Sequence, residues 1–177
     1  MSELKLSADL TLSNLIVEKL KKIRLLLLDV DGVLTDGSIT WIAGQGFTRT
    51  YHAHDGYGIR LIQKLGLPVG VISGGQSQDL KERLQFLGIQ HFVLGSEDKF
   101  ASLTKMSEET KIPLEQICFI GDDLFDIPAL EKVGLAVTVP NAVPEVKEVV
   151  HFITTIPGGK GAVRQVIDAL RKVQNLK

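Results

Sequence analysis

The sequence predicts an α/β fold, a Rossmann-like parallel sheet with helices on both faces and a β-hairpin inserted after the first strand. Three observations carry this expectation. Short apolar runs of strand length alternate with amphipathic segments along most of the chain. The principal runs stop at Asp, Ser or Gly, residues of tight-turn chemistry. One stretch, from Gly37 to His54, breaks the rhythm with a period-two pattern. Strands alternating with helices imply a parallel sheet covered on both faces. Right-handed crossovers then put every strand's C-terminal end on one edge, where open α/β sheets bind their ligands.

The elements follow in order. Ser13 reads as the N-cap of a short helix to Lys22, with Leu15, Ile16 and Leu20 on one face. Ile23-Arg24-Leu25-Leu26-Leu27-Leu28 is mostly apolar and ends abruptly at Asp29, which favours a buried strand over a helix. In the insert, Ile39 and Trp41 alternate, with Phe47, Thr48 and Tyr51 beyond Gly44-Gln45-Gly46, the pattern of a hairpin over about 37–54. A helix is expected near Gly58–Leu65 and a strand over Pro68-Val69-Gly70-Val71-Ile72, then a helix over Gln78–Phe86. His91–Leu94 is a strand, Lys99–Glu109 a helix, and Ile117–Ile120 a strand followed by a helix through Leu130. Leu135–Thr138 and His151–Ile153 read as short strands, and Gly161–Gln174 as the last helix. No repeat or linker divides the 177 residues, so one domain is expected over 1–177.

Composition narrows the function classes. Hydrophobic residues make up 44% and charged residues 23%, which excludes a disordered chain. Twenty basic against 21 acidic residues give a net charge of −1, so no basic field draws the chain to nucleic acid or to an anionic membrane. The longest uncharged run, between Lys64 and Asp79, is interrupted by Pro68 and several glycines and is too short to span a bilayer. Glu3, Lys5 and Asp9 precede any apolar stretch, unlike a secretory signal, and the expected location is the cytoplasm. The single cysteine, Cys118, lies in an apolar run and reads as a buried structural thiol.

The informative feature is a set of polar residues just past the apolar runs: Asp29, Asp31, Ser73, Lys99, Asp122, Asp123 and Asp126. Any one of them is an ordinary turn residue. Carboxylates converging on one sheet edge repel each other unless a cation sits among them, and hard oxygen donors without His or Cys point to Mg²⁺. A lysine and a hydroxyl beside that cation complete a seat for a phosphoryl group.

Asp29-Val30-Asp31-Gly32-Val33-Leu34-Thr35-Asp36-Gly37 resembles the first motif of the haloacid dehalogenase superfamily of phosphatases. Ile72-Ser73-Gly74 is similar to its second, Lys99 to its third, and Gly121-Asp122-Asp123-Leu124-Phe125-Asp126 to its fourth. The resemblance implies that Asp29 attacks phosphorus to give an aspartyl-phosphate, and that Asp31 protonates the departing alcohol and then activates water. It implies that Ser73 and Lys99 hold the phosphoryl oxygens, and that Mg²⁺ is bound by Asp29, the Asp31 backbone carbonyl and Asp122. The residues between the motifs leave no room for a cap domain.

The insert, with Tyr51-His52-Ala53-His54-Asp55-Gly56-Tyr57-Gly58, resembles that of the 3-deoxy-D-manno-octulosonate 8-phosphate phosphatases, as do Asn141-Ala142, Pro144-Glu145-Val146-Lys147 and Pro157-Gly158-Gly159-Lys160-Gly161-Ala162-Val163-Arg164. This second resemblance implies a homotetramer whose hairpins help cover neighbouring sites, and a sugar-acid phosphate as substrate. Gly74, Gly75, His54, Lys160 and Arg164 are the expected substrate contacts. The family usually carries arginine where this chain has Gly75 and His54, positions suited to gripping a carboxylate or phosphate. An acylneuraminate 9-phosphate is therefore the alternative substrate.

Other features weigh less. Gly158-Gly159-Lys160-Gly161 lacks the phosphate-loop pattern and reads as a loop entering a helix. His52 and His54, two apart on an expected strand, lack further zinc ligands. Trp41 and Tyr51 are expected at contacts between subunits, and His91 and His151 in structural roles. A receiver-type regulatory module would also gather acids, a hydroxyl and a lysine around Mg²⁺, but its phosphoacceptor sits on the third strand. That strand here ends at Leu94-Gly95-Ser96 without an aspartate.

Overall fold

A computed structural model describes residues 4–7, 10–44 and 46–177. The chain runs through β1 (Leu4–Ser7), β2 (Leu10–Leu12), α1 (Asn14–Lys22), β3 (Leu25–Leu28), β4 (Thr40–Ile42), β5 (Gly46–Thr48), α2 (Ala53–Lys64) and β6 (Val69–Ser73). It continues through α3 (Gln78–Leu87), β7 (His91–Leu94), α4 (Lys99–Thr110), β8 (Ile117–Ile120), α5 (Ile127–Leu130), β9 (Leu135–Thr138), α6 (Pro144–Val149), β10 (Phe152–Ile153) and α7 (Ala162–Val173).

The main sheet has six strands in the order β10-β9-β8-β3-β6-β7, and every pairing in it is parallel. All four leucines of β3 are buried, because the two faces are both covered. Leu26 and Leu28 face a core built with α1, α2, α3 and α7, through side chains such as Leu20, Ile62, Leu84 and Ile167. Leu25 and Leu27 face the opposite core, closed by Leu103 and Met106 of α4, Leu130 of α5 and Val146 of α6. Cys118 is buried in the first of these cores. Ser13 caps α1, accepting from the Ile16 amide at 3.5 Å.

The chain moves from β3 to β6 on one side and later returns to β8 on the other, so the strand order reverses at β3. Such a switch point leaves a crevice at the C-terminal strand ends. Asp29, Ser73 and the Gly121-Asp122 turn therefore meet on one edge.

The hairpin strands β4 and β5 pair antiparallel, Trp41 opposite Phe47, inside the expected insert. Gln45, at the expected turn, lies outside the described residues. The insert's end differs from expectation. His52 is the N-cap of α2 and His54 lies in its first turn, so the two histidines are not on a strand. The helix starts before its expected position despite Gly56 and Gly58, which weigh against helix locally. Tertiary packing overrides that preference: a Cβ at Gly56 would come within 2.6 Å of Arg83, and one at Gly58 within 2.9 Å of Arg164. A second antiparallel pair, β1 with β2, precedes α1 and has no counterpart in the sequence-based expectation.

Candidate active site

The loop after β3 carries Asp29 and Asp31 around a tight bend. The amides of Val33, Leu34 and Thr35 all donate to the Val30 carbonyl. Gly32 adopts a φ of +94° there, and a Cβ at that position would fall 1.9 Å from the Asp122 carboxylate. Glycine is thus required both by the backbone and by the approach of the neighbouring acidic loop.

Lys99, the first residue of α4, is wholly buried and points into this crevice. Its ammonium donates to Asp29 Oδ1 and, at 2.7 Å, to the Ile72 carbonyl, and stands 3.3 Å from Asp126 Oδ1. The Phe125 ring lies 4.8 Å from Nζ. A buried ammonium is tolerated only when counter-charges and acceptors surround it. Asp98 caps α4 by accepting from the Ala101 amide at 2.9 Å, fixing the helix start that delivers Lys99.

Asp126 in turn accepts from the backbone amides of Asp122 and Asp123, at 2.9 and 3.2 Å. It shapes the acidic loop after β8, and Asp123 caps the short 3₁₀ turn Leu124–Asp126. Asp29, Asp122 and Asp126 each bring a carboxylate oxygen within 4.8 Å of the other two. The Asp122 Oδ1 atom is buried without a hydrogen-bond partner. Burial pushes the Asp122 carboxyl up to about 8, reinforced by Asp29, Asp126 and Asp123. Burial likewise pushes Asp29 up to about 7, Lys99 opposing and Asp126 adding to the rise. Asp126 is raised by the same burial, with Lys99 opposing. Crowded carboxylates, with Asp122 Oδ1 and Asp126 Oδ1 both lacking a hydrogen-bond partner and one lysine beside them, fit a small, hard divalent cation.

Asp31 is not one of these three carboxylates; its side chain is held by Arg49. Its two oxygens accept from Arg49 Nε at 2.6 Å and from a terminal guanidinium nitrogen at 2.9 Å. Ser73 is buried at the end of β6, its hydroxyl accepting from the Gly75 amide at 3.1 Å. Gly74 is exposed with open space where a side chain would be.

The other expected contacts lie apart. Lys160 is exposed and 3.6 Å from Asp36 Oδ2. Arg164 bonds Asp168 along its own helix at 2.9 Å and lies over the Tyr57 ring. His54 is exposed and meets His52 edge-on at 5.1 Å. None of the three is joined by a contact to the acidic group within this chain. Tyr51, expected at a subunit contact, packs half-buried on the core beneath the Arg83 guanidinium within this chain. His151 accepts from the Ala136 amide at 2.9 Å, a structural role as expected.

Two residues carry supporting roles that the sequence did not assign to them. Asn141 donates to the Gly32 carbonyl at 2.9 Å and accepts from the Gly158 amide at 2.7 Å, tying the first motif's loop to the Gly158-Gly159 loop. Its signal was weak: an asparagine after a strand is commonplace, and only its two-sided amide fits a bridge between backbones. The second is the Arg49 fork; the sequence offered Arg49, with Arg60 and Lys160, only as a residue that could compensate for Gly75 and His54, not as a partner of Asp31.

Comparisons with known proteins bear on this arrangement. Residues 92–167 match the family of haloacid dehalogenase-like hydrolases. The chain is 38% identical to the 3-deoxy-D-manno-octulosonate 8-phosphate phosphatase of Escherichia coli over 159 residues, 90% of this chain and 85% of that one. A crystal structure of the Yersinia pestis phosphatase of the same name superposes with a TM-score of 0.93 at 34% identity, covering 98% of this chain and 94% of the other. The Moraxella catarrhalis phosphatase, solved with a magnesium ion, a phosphate ion and a KDO molecule, gives a TM-score of 0.89 at 36% identity, covering 92% of this chain and 93% of that one.

Proposed function

Since the chain belongs to the 3-deoxy-D-manno-octulosonate 8-phosphate phosphatase family and is a phosphatase, we propose that it hydrolyses a sugar-acid phosphate, 3-deoxy-D-manno-octulosonate 8-phosphate, through an aspartyl-phosphate on Asp29. The observation that carries this reading is the close group of Asp29, Asp122 and Asp126, with Lys99 paired to Asp29 and Asp126 and Asp122 Oδ1 lacking a partner.

Asp29, Asp122 and the Asp31 backbone carbonyl would hold Mg²⁺. Bound there, it offsets the repulsion between an anionic nucleophile and an anionic ester. In the first half-reaction an Asp29 oxygen bonds to phosphorus as the ester P–O bond breaks, and Asp31, having taken up a proton from solvent, gives it to the departing sugar oxygen. In the second, a water oxygen bonds to phosphorus while Asp31 takes its proton, and the bond to Asp29 breaks to release phosphate. Lys99 orients Asp29 and places a fixed positive charge beside the reacting group. Ser73 supplies a hydroxyl to the phosphoryl oxygens, and the open space at Gly74 admits the ester.

Ile39, Trp41 and Phe47 are all exposed in the hairpin insert, Trp41 and Phe47 in ring contact, which supports burial of the insert in a homotetramer. In that assembly the exposed Lys160 and His54, with Arg164, serve a site at the subunit boundary. No helix among the described residues is long and apolar enough to cross a membrane.

The test is phosphate release from a panel of esters, with Mg²⁺ and with chelator. Octulosonate 8-phosphate is expected to be preferred, with turnover lost in chelator. Preference for an acylneuraminate 9-phosphate would keep the reaction and move the substrate. Silence across the panel from folded, metal-loaded protein would overturn the reading.

A further inference from the structure

Arg49 leaves the hairpin just after β5 and runs into the crevice, its side chain only 3% exposed. Its guanidinium grips both oxygens of Asp31, at 2.6 and 2.9 Å. Its other terminal nitrogen donates to the Ser77 hydroxyl at 2.7 Å and to both oxygens of Asp79, at 3.1 and 3.2 Å. Ser77 is the N-cap of α3 and Asp79 lies in its first turn, so the fork is anchored on a fixed helix end. Asp31 keeps 28% of its side chain exposed while Arg49 does not. The fork therefore holds the acid from behind and leaves its open side to the substrate.

A carboxylate at the end of a short side chain rotates broadly about its last torsion. A planar bidentate fork removes that freedom, which a point charge cannot do. Gly75 is part of the same device. A Cβ there would lie 2.8 Å from the Arg49 nitrogen that meets Asp31, and that nitrogen cannot step aside without releasing the acid. The missing side chain at position 75 is space that Arg49 fills from the hairpin.

We infer that Arg49 is a positioning residue for Asp31, setting the acid for proton transfer to the leaving oxygen and from water, and that it does not itself bind substrate. The inference rests on the proposed phosphatase reading. With its donors spent on Asp31, Ser77 and Asp79, Arg49 has little left for a ligand. It also makes the hairpin part of the active site within one chain, in addition to any cover it gives a neighbour.

The test compares two esters in native protein, Arg49→Ala, Arg49→Lys and Gly75→Ala. One is an alkyl sugar phosphate, whose alkoxide needs a proton to leave. The other is 4-nitrophenyl phosphate, whose phenolate does not. For Arg49→Ala, kcat/KM is expected to fall about 100-fold with the alkyl ester, the lower end of what a positioned proton donor contributes. With the aryl ester, kcat/KM stays near native, because it reports only steps through departure of the phenolate. The same variant should release a burst of nitrophenolate before a slowed steady state, since hydrolysis of the aspartyl-phosphate still needs the base.

Arg49→Lys is expected to restore part of the alkyl-ester rate, and Gly75→Ala to shift it in the direction of Arg49→Ala by a smaller factor. Equal losses with both esters in folded variants, or a rise in KM alone, would overturn the positioning role. Native protein inactive on both esters would overturn the phosphatase reading on which it rests.

Discussion

Asp29 and Trp41 lie close in sequence and at opposite extremes of environment. Asp29 is buried, held by a buried lysine, and crowded by Asp122 and Asp126. Trp41 is 63% exposed, on a hairpin where Phe47, 51% exposed, is its ring partner at 4.8 Å. In the first region carboxylates crowd around one buried lysine, with Asp122 Oδ1 left without a hydrogen-bond partner, and the strain of packed like charges is kept because the fold closes over it. In the second, apolar area is left for something outside the protomer to cover. The contrast teaches that over-determined burial places the acidic centre, whereas the hairpin leaves apolar surface uncovered within the chain. Arg49 is where the two regions touch.

The largest effect should come from the buried side of this contrast. Asp29→Asn removes the proposed nucleophile at almost unchanged volume, and turnover should drop by at least about 10⁴-fold. Phosphate release measures this, with circular dichroism showing the fold intact; near-native rates would remove Asp29 from its role. Lys99→Met leaves Asp29 and Asp126 buried without their shared cation. The protein should lose about 3–5 kcal/mol in urea unfolding. A loss comparable to that of an exposed lysine would contradict the account of the centre.

Removing the cation tests the same region more gently. Asp122 titrates at 3.8 when unperturbed and is pushed up to about 8 in the fold. Between those values the folded chain holds a proton that the unfolded chain has released, so this group's contribution to stability is lost as pH rises through its folded value. Mg²⁺ competes with that proton. The rise in Tm on adding Mg²⁺ to chelator-treated protein should therefore be larger near pH 8 than near pH 5. An equal rise at both would separate the cation from these carboxylates.

The smallest effect on the protomer itself belongs to the hairpin. Trp41→Ser, at an exposed position, should change protomer stability by no more than about 0.5 kcal/mol. Light scattering should nevertheless show a smaller assembly. Unchanged assembly would leave the hairpin's apolar surface without its assigned cover.

The buried region was largely legible in the sequence. Asp29, Ser73, Lys99 and Asp122 each follow an apolar run, and parallel topology sends such ends to one edge. Side-chain direction was not legible. Asp31 could be placed beside the cluster by spacing, but its turn toward Arg49 depends on the hairpin folding back over Gly75. Asp126 was placed near the site, yet its tie to the Asp122 and Asp123 amides required the loop's geometry. The start of α2 was misplaced because Gly56 and Gly58 suggest a loop locally, whereas they exist for close packing against Arg83 and Arg164. In each case the hidden part is a contact between segments distant in sequence, which composition and periodicity do not record.

The most direct test of the central claim is to quench native protein in acid during turnover, reduce with borohydride, and map the modified residue by mass spectrometry. An aspartyl-phosphate would yield homoserine at position 29, absent from Asp29→Asn and from protein without substrate. Turnover with no modification at Asp29, or modification at another carboxylate, would contradict it.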